Sequence, residues 1–497
     1  MFVKCDLAFG SVFPNLMIVS PKFSLSKRPQ QSKDKALSEY APGRLIVVNK
    51  ETYRIGGIYV EGTGSASPAT GLFSRPLGKY VYCPLCTYIR DAPLRREDET
   101  CPVCETPLRE RELLDPPGFS PERGRPLDER DREQEISYAT SAQFPTPIES
   151  DRFQWKQNAG THIRHAYEQD RKLVIVNKGP GESGFKVCEA CGAAKPDTEP
   201  WPAGPHPRPF LVPNYVLQKE GLSWLCNDAI RKNPIYLGHS FLTDILLLRI
   251  SFCLPLKYDP RHPWLQDALG TTAEALSLGA SRQLDIDAGE LSAGFRLMPA
   301  VSGGDPSALG LADIYLFDTA AGGAGYAAEA GDLIVRVLQR TLDLLRECPE
   351  NCERSCTKCL RHYGNRYWHE RLDRHLAAEL VTYAQCGTAP SIGSIAKQCT
   401  DLIPLQRYLE LEGWSSSLDS NIHGVQVPLL VRDNAQGNWV AIGTYPALLD
   451  KDASSFDHPL YALDGEDDVA VSLLADYVVS RDLPTAYQQF RRDARQQ

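Results

Sequence analysis

The densest chemistry in the sequence is a group of four cysteines within twelve residues: Cys348, Cys352, Cys356 and Cys359. Cysteine thiolates bind zinc at about 2.3 Å in a tetrahedral site. On one continuous helix the four would share a face but span roughly 16 Å, which is too far for one ion. A zinc site therefore requires the chain to fold back, and Pro349 supplies a turn after a helix that ends near Glu347. The alternative is four reduced cysteines that line a helix.

A second group consists of two CPxC pairs: Cys83, Cys86, Cys101 and Cys104. Fourteen residues separate the pairs, close to the spacing of about 15–20 residues found in paired CxxC zinc sites. In such a motif each tight turn directs two sulfurs toward one ion. We predict a zinc ribbon, whose role is structural or is to bind nucleic acid or protein.

A third CxxC pair, Cys188 and Cys191, has no adjacent partner pair in the sequence. His206 and Cys226 are the best available residues to complete a four-ligand zinc site. The alternative is a lone CxxC motif with a redox role or with no chemical role.

Two glycine-rich stretches raise the question of phosphate binding. Gly179–Lys186 follows a predicted strand, but its lysine comes one position late and no serine or threonine follows it. We therefore predict no nucleotide binding and no ATPase activity for this loop. Thr319–Tyr326 lies between a predicted strand and a predicted helix, where glycine amides form either an anion-binding nest or a tight packing contact.

Basic and aromatic residues follow the four-cysteine group, between residues 353 and 375. We predict that the zinc holds this segment in place for contact with phosphates and exposed bases. The alternative is a solvated helix face with Trp368, Leu372 and Leu376 turned inward. The predicted nucleic-acid-binding residues are Arg361, Tyr363, Arg366 and Tyr367.

Composition describes a globular chain of 497 residues with a net charge of -9, which argues against indiscriminate nucleic-acid binding by the whole surface. No apolar run is long enough to span a membrane. The mildly apolar N-terminal segment is interrupted by Gly10 and Pro14, so we predict no signal peptide. We expect a cytoplasmic protein in which the 15 cysteines stay reduced and zinc is the cofactor.

The elements that must position these groups predict an α+β multidomain protein: a zinc ribbon plus a mixed α/β core that carries the four-cysteine site. Strands are predicted at Leu173–Asn177 and Asp313–Asp318, and helices at Trp264–Leu278 and Asp332–Glu347, the latter capped by Asp332. Ser240–Arg249 fits a buried strand or a short helix. The predicted divisions are a β-rich domain at 1–78, a ribbon at 79–115, a linker at 116–160 with little to bury, the α/β zinc-binding domain at 161–395, and an α/β domain at 396–497.

The stretch Asp318–Tyr326, the four-cysteine group and Cys359–Arg374 together resemble the zinc-binding (MZB) domain of MrfA-type DNA-repair helicases. The likeness covers about residues 160–395 and includes Leu237–Asp244 and Gly184–Gly192. No helicase motor accompanies it in the 497 residues. In this the chain is most similar to the DrmB family, the helicase-partner subunits of the DISARM antiphage system. The resemblance implies that a separate, DrmA-like helicase subunit hydrolyses ATP. It also implies that this chain helps to hold DNA that is single-stranded or has a single-stranded end.

The leading functional interpretation is a non-catalytic, zinc-binding, DNA-contacting partner of a superfamily 2 helicase. Three alternatives remain open. The first is a metal-dependent nuclease that holds magnesium with Asp244, Asp287 and Asp318. The second is the C-terminal half of a split DNA-repair helicase, and the third is a protein–protein scaffold.

Overall fold

The computed structural model is a mixed α/β protein with several sheets and three cysteine clusters, which confirms the predicted fold class. The structure describes residues 15–17, 30–48, 50–60, 69–90, 93–94, 99–122, 127, 136–140, 142–145, 153–157, 159–201, 204–209, 221, 223, 225–228, 230–231, 233–298, 307–320, 323–433, 439–463 and 469–494. Among these residues, no helix combines the length and the apolar character needed to cross a lipid bilayer.

The strands and helices are numbered in chain order. The strands are β1 Asn15–Met17, β2 Gln30–Ser32, β3 Leu45–Val48, β4 Glu51–Ile58, β5 Gly78–Tyr82, β6 Ile89–Arg90, β7 Arg109–Leu114, β8 Phe119–Pro121, β9 Ile163–Asn177, β10 Phe185–Val187, β11 Ala194–Pro196, β12 His206–Pro207, β13 Leu225–Cys226, β14 Tyr236–Phe252, β15 Leu291–Met298, β16 Gly310–Asp318, β17 Trp414–Ile422, β18 Val425–Asp433, β19 Trp439–Tyr445 and β20 Val469–Ala475. The helices are α1 Lys33–Glu39, α2 Thr70–Phe73, α3 Pro263–Leu284, α4 Tyr326–Asp332, α5 Ile334–Arg346, α6 Arg374–Cys386, α7 Ile395–Leu411, α8 Asp476–Arg481 and α9 Leu483–Asp493.

The long strand β14 is the centre of a seven-stranded sheet. It pairs along one edge with β9, antiparallel. Along its other edge its first two residues pair in parallel with β7, and its second half pairs antiparallel with β16. The ribbon strands β5, β6 and β7 therefore belong to the same sheet as β15 and β16, so this sheet crosses the predicted boundary between ribbon and α/β domain.

Successive residues of β14 point to two different hydrophobic cores, as the alternation of a strand requires. Leu246, Leu248 and Ile250 face the core that contains α3, α5 and α6. Ile245 and Leu247 face a second core built from the N-terminal segments. Both faces of the sheet are covered here, which explains the uninterrupted apolar run Ile245–Leu248 within this strand.

Helices α3, α5 and α6 cover one face of the sheet and support the four-cysteine loop. The predicted helix from Asp332 to Glu347 differs at its start, because α4 ends at Asp332 and α5 begins at Ile334. Asp332 therefore does not cap α5. The two long helices α3 and α5 approach closely at Gly279, where an added Cβ would lie 2.5 Å from the Thr341 hydroxyl oxygen.

The segment predicted as a linker contributes apolar side chains to the core. Phe119, Phe144 and Phe153 are buried among the residues of the N-terminal core. The prediction that this segment has little to bury was therefore wrong. These phenylalanines are spaced too widely to produce a helical or strand-like pattern. The many residues typical of loops therefore dominated the sequence-based prediction.

The C-terminal region has its own four-stranded sheet in the order β17–β18–β19–β20, with the last pair parallel. Helices α7 and α9 cover it through Leu402, Leu405, Leu409 and Phe490. The β-rich runs at 429–432 and 439–442 lie within β18 and β19. This region contacts the rest of the protein through α8, where the Tyr477 hydroxyl donates to Asp267 at 2.8 Å.

Candidate metal centres and nucleic-acid interface

The first cysteine cluster sits on two tight turns beside the ribbon strands. Cys83 and Cys86 lie between β5 and β6, and Cys101 and Cys104 lie in the turn before β7. The Cys83 and Cys104 sulfurs are 3.4 Å apart, and those of Cys86 and Cys101 are 3.6 Å apart. The backbone amides of Leu85 and Cys86 point at the Cys83 sulfur, which stabilises a thiolate there.

Two side chains at the start of α3 and in the loop before it hold this ribbon in place. The guanidinium of Arg261, two residues before the helix, donates to the carbonyl oxygen of Cys104 at 2.6 Å. The amide of Gln266, in the first turn of α3, donates to the carbonyl oxygen of Leu85 at 2.8 Å. Both cysteine turns are therefore bonded to the start of this helix or to the loop before it, next to the core that also supports the four-cysteine loop.

The second cluster brings together the four residues proposed from the third CxxC pair. Cys188 and Cys191 lie in the turn between β10 and β11, and His206 and Cys226 face each other across the β12–β13 pair. The Cys188 and Cys226 sulfurs are 3.8 Å apart, and the Cys191 sulfur is 3.3 Å from His206 Nε2. All four side chains are buried. The arrangement fits one Cys₃His zinc site.

The third cluster is the four-cysteine group that follows α5. The chain turns back after this helix, with the amide of Asn351 donating to the Cys348 carbonyl and with Asn351 at a φ of +43°. The turn therefore centres on Asn351 as well as on Pro349. The Cys348 and Cys356 sulfurs are 3.6 Å apart, and those of Cys352 and Cys359 are 3.7 Å apart.

All three clusters have the geometry that tetrahedral zinc requires. In each, four ligand atoms lie within 4.8 Å of one another. Zinc–sulfur bonds of about 2.3 Å place sulfurs about 3.8 Å apart, whereas a disulfide requires about 2.05 Å. The twelve ligand residues include eleven cysteines, all of them free thiols. In the third cluster the backbone amide of Cys352 lowers the pKa of Cys348 to about 6, which favours the thiolate that binds metal. The residues present therefore fit zinc, whose contribution would be structural.

Arg374 joins the third cluster to its neighbours from a buried position. Its Nε donates to the Cys352 carbonyl at 2.8 Å, and its Nη1 donates to the carbonyls of Leu345 and Arg346 at 3.0 and 3.1 Å. Its Nη2 donates to the Asn351 side chain at 3.2 Å. This side chain is only 2% exposed. The sequence placed Arg374 at the end of the basic segment, but the structure uses it to tie α6 to the end of α5 and to the cysteine loop.

The predicted nucleic-acid-binding residues occupy two different environments. Arg361 donates from Nε to the Ser355 hydroxyl at 2.9 Å, so it contacts the cysteine loop itself. Tyr363 is 68% exposed, and the Arg366 guanidinium lies 4.3 Å from the centre of its ring. The side chain of Tyr367 lies outside the described residues. Tyr363 and Arg366 therefore form the accessible part of the predicted interface.

The aromatic residue that follows them is directed inward. Trp368 packs edge-on against Phe295, with ring centres 6.1 Å apart, and contacts α3 at Gly270. Leu372 and Leu376 are also buried. The helix that follows begins at Arg374. Trp368, Leu372 and Leu376 turn inward, as the alternative interpretation expected. Tyr363 is exposed, and its contact with nucleic acid stays a prediction.

Residues distant in sequence complete this exposed surface, and no sequence motif indicates them. Glu39, at the end of α1, accepts hydrogen bonds from the Tyr363 hydroxyl at 3.0 Å and from Arg366 Nη2 at 3.4 Å. The Arg366 guanidinium also lies 5.4 Å from the ring centre of Tyr138. Glu39 is 324 residues away from Tyr363 along the chain. No local pattern could have identified a contact over such a separation.

The acidic residues proposed for magnesium are engaged elsewhere. Asp318 accepts hydrogen bonds from the backbone amides of Ala324, Gly325 and Ala327. Asp244 accepts from the Tyr167 hydroxyl at 2.7 Å. Within the described part of the chain, Asp244, Asp287 and Asp318 do not form a metal-ligand group.

The same contacts explain the glycine-rich stretch before α4. Its amides do surround an anion, but that anion is the Asp318 carboxylate of the protein itself. In the other glycine-rich stretch, Lys186 pairs with Asp197 at 2.7 Å, and Pro180–Glu182 forms a short 3₁₀ turn. The stretch Gly179–Lys186 leads into strand β10 and not into a helix, so it lacks the strand-to-helix geometry of a nucleotide-binding loop. The stretch before α4 does join a strand to a helix, but Asp318 occupies its amides.

A family model described as "MZB: MrfA Zn-binding domain" matches residues 272–360, from α3 through the last cysteine of the third cluster. The chain contains an MZB domain. Within the matched region α3 and α5 pack together, and the cysteines of the third cluster follow the end of α5.

Comparison with known proteins extends the likeness beyond the MZB domain. The chain is homologous to Druantia protein DruE of Escherichia coli (strain UMEA 4076-1), with 40% identity over 479 residues. The match covers 94% of this chain and 25% of DruE, so the chain spans about a quarter of the length of this relative.

Solved structures of the DUF1998 helicase MrfA also match. The complex with DNA matches at 12% identity and a TM-score of 0.32, over 71% of this chain and 32% of MrfA. The complex with DNA and AMPPNP matches at 10% identity and a TM-score of 0.25, over 76% of this chain and 32% of MrfA. Scores of this size do not establish a common fold.

Proposed function

We propose that this chain is a non-catalytic, zinc-binding component of a helicase system in prokaryotic antiphage defence, and that it contacts DNA through the segment that directly follows its MZB domain. The observation that carries the proposal is the placement of Tyr363 and Arg366. Four buried or half-buried cysteines and the buried Arg374 hold the loop that precedes them. The exposed ring and its stacked guanidinium then present a base-stacking surface and a phosphate-binding charge on a rigid support.

Two supporting points concern the partner. The match to the MrfA zinc-binding domain and the homology to DruE both associate this type of chain with larger proteins. We propose that ATP hydrolysis resides in a helicase polypeptide, either a separate DrmA-like subunit of a DISARM-like system or further sequence of the kind that makes DruE four times as long as the matched region. In both arrangements the chain described here supplies zinc-stabilised structure and a contact with single-stranded DNA or a single-stranded end.

The charge distribution favours a local DNA contact over a general one. The chain has a net charge of -9, so its surface as a whole repels polyanions. Binding must therefore depend on a small number of placed groups, and removal of those groups should abolish a large part of the affinity. Each stacked base contributes about 1–3 kcal/mol by alanine substitution, which corresponds to a loss in affinity of about 5- to 150-fold.

The test is a DNA-binding measurement on the whole chain, alone and after co-purification with a DrmA-like helicase subunit. Fluorescence anisotropy of a labelled oligothymidylate gives the affinity, and metal analysis gives zinc content. Tyr363→Ala and Arg366→Ala should each weaken binding with all zinc retained. Arg432→Gln is a matched control, because this arginine also stacks on an aromatic ring, Trp439 at 5.3 Å, but lies in the C-terminal sheet. If the unmodified chain binds no single-stranded DNA in either preparation, the proposed function is wrong.

A further inference from the structure

The exposed surface around Tyr363 extends onto two segments far away in the sequence. Tyr138 is 38% exposed and lies within 5.4 Å of the Arg366 guanidinium. Arg44 lies near the same ring, with its guanidinium 5.6 Å from the Tyr138 ring centre. Two cations, two aromatic rings and the Glu39 carboxylate are thus gathered from α1, the loop after it, the segment at 136–140 and the segment that follows the MZB domain.

Arg44 differs from the paired arginines of the core. Its Nε and Nη1 are buried and make no hydrogen bond within the described residues. Burial, together with the nearby charge of Arg366, holds the pKa of Arg44 below its usual value. Arg249 and Arg296, in contrast, both donate to the buried Asp313 carboxylate. The charge on Arg44 therefore lacks a directly bonded counter-ion in this part of the structure.

Glu39 holds the donors that an incoming phosphate would use. Its carboxylate accepts from both the Tyr363 hydroxyl and Arg366, the latter at a long 3.4 Å. A phosphate diester offers the same kind of charged oxygen acceptor as a carboxylate. The two arginines carry one more positive charge than Glu39 can balance, so an anion can bind here without first removing a tight ion pair.

We propose that Arg44, Tyr138, Tyr363 and Arg366 form one binding surface for single-stranded DNA, and that Glu39 occupies its donors until DNA binds. This inference rests on the proposed function and specifies which residues contact the DNA. The exposed Tyr363 ring stacks on an unpaired base, and Arg44 and Arg366 contact the phosphates on either side of Tyr138. Bases in a duplex do not offer a free face to a tyrosine ring, so the surface selects single strands.

The test uses the full chain and a labelled oligothymidylate, with affinity measured at several salt concentrations. Arg44→Gln should weaken binding by about fivefold and lower the slope of log affinity against log salt by about 0.7, the value for one phosphate contact to a single strand. Tyr138→Ala should weaken binding without changing that slope. Glu39→Gln keeps a hydrogen-bonding side chain but removes the competing charge, so it should strengthen binding. Zinc content and melting temperature show whether each variant is folded, and Arg432→Gln serves as the control.

The outcomes separate this inference from the proposed function. If Tyr363→Ala and Arg366→Ala weaken binding while Arg44→Gln and Tyr138→Ala bind like the unmodified chain, the extended surface is refuted and the contact at Tyr363 and Arg366 stands. Weaker binding by Glu39→Gln would refute the competing role of Glu39 and make it a positioning residue. Equal affinity for duplex and single-stranded probes would refute the stacking contact. No binding by the unmodified chain would refute both proposals together.

Discussion

Replacing Arg374 by methionine should loosen the third zinc site without touching any of its ligands. Methionine keeps the apolar stem of the side chain and removes the guanidinium. The three backbone carbonyls of Leu345, Arg346 and Cys352 would each lose a charged donor. Buried polar groups left unpaired cost about 1–3 kcal/mol each. The desolvation of the guanidinium itself offsets part of this, so we expect a net loss of about 3 kcal/mol in the free energy of unfolding.

The substitution should lower the zinc affinity of the third site more than that of the other two sites. Groups that orient metal ligands typically change metal affinity by about 10- to 100-fold when they are removed. Arg374 bonds directly to the Cys352 carbonyl, so one of the three zinc ions should leave at a correspondingly lower concentration of a competing chelator. A chromophoric chelator titration reports this release, and urea unfolding reports the stability.

Arg340→Met supplies the matched control, because Arg340 lies on the same helix α5 with an exposed side chain. It should release zinc and unfold like the unmodified chain. If Arg374→Met also retains its third zinc at the same chelator concentration, and its unfolding free energy changes by less than about 1 kcal/mol, the reasoning that places Arg374 as the organiser of the site is wrong.

Three further outcomes follow from the same structure. Protein purified without chelator should hold three zinc ions per chain, and Cys226→Ser should hold two; elemental analysis decides, and fewer than one ion in the unmodified chain would rule out zinc at these clusters. Burial and nearby Asp476 raise the pKa of Glu379 from its usual 4.5 to about 8. The folded state therefore binds this proton more tightly than the unfolded chain does, and its stability falls as the pH rises from about 4.5 to 8. Glu379→Gln should therefore raise the melting temperature at pH 8.5 and change it little at pH 4.5; equal shifts at both would show that the titration has no role. The isolated chain should show no ATPase activity above background, because Lys186 is paired with Asp197; turnover that Lys186→Ala removes would contradict this.

The metal ligands were accessible from sequence because their signal is local. The CxxC turns and the cysteine spacings depend on a few consecutive residues. Even His206 and Cys226, which belong to no such turn, lie within 38 residues of Cys188. The long strand β14 could be predicted from sequence only in part. Its apolar run fits both a helix and a strand, and what decides between them is the pairing with β9 and β16, which are distant in the chain.

The sequence alone could not distinguish the roles of the arginines around the four-cysteine loop. Arg361, Arg366 and Arg374 occur in one basic segment and look equivalent there. Arg374 is buried because the free carbonyls at the end of α5 accept its hydrogen bonds, whereas Arg366 is held at the surface by Tyr363 and Glu39. These differences depend on backbone groups and side chains that tertiary folding brings near. A pattern of charge along the chain contains no information about them.

The short span of each zinc site along the chain has a consequence for synthesis on the ribosome. Cys348 and Cys359 are eleven residues apart, Cys83 and Cys104 are 21 apart, and Cys188 and Cys226 are 38 apart. The entropy lost on closing a loop grows only by about 0.6 kcal/mol for each doubling of its length. The first two sites end at Cys104 and Cys226, before β14 begins. Each of these two can therefore capture its ion soon after its last ligand leaves the exit tunnel, before β14 has met β16. The metal ions then act as local anchors in a nascent chain whose long-range strand pairing, the slow part of folding, is still incomplete.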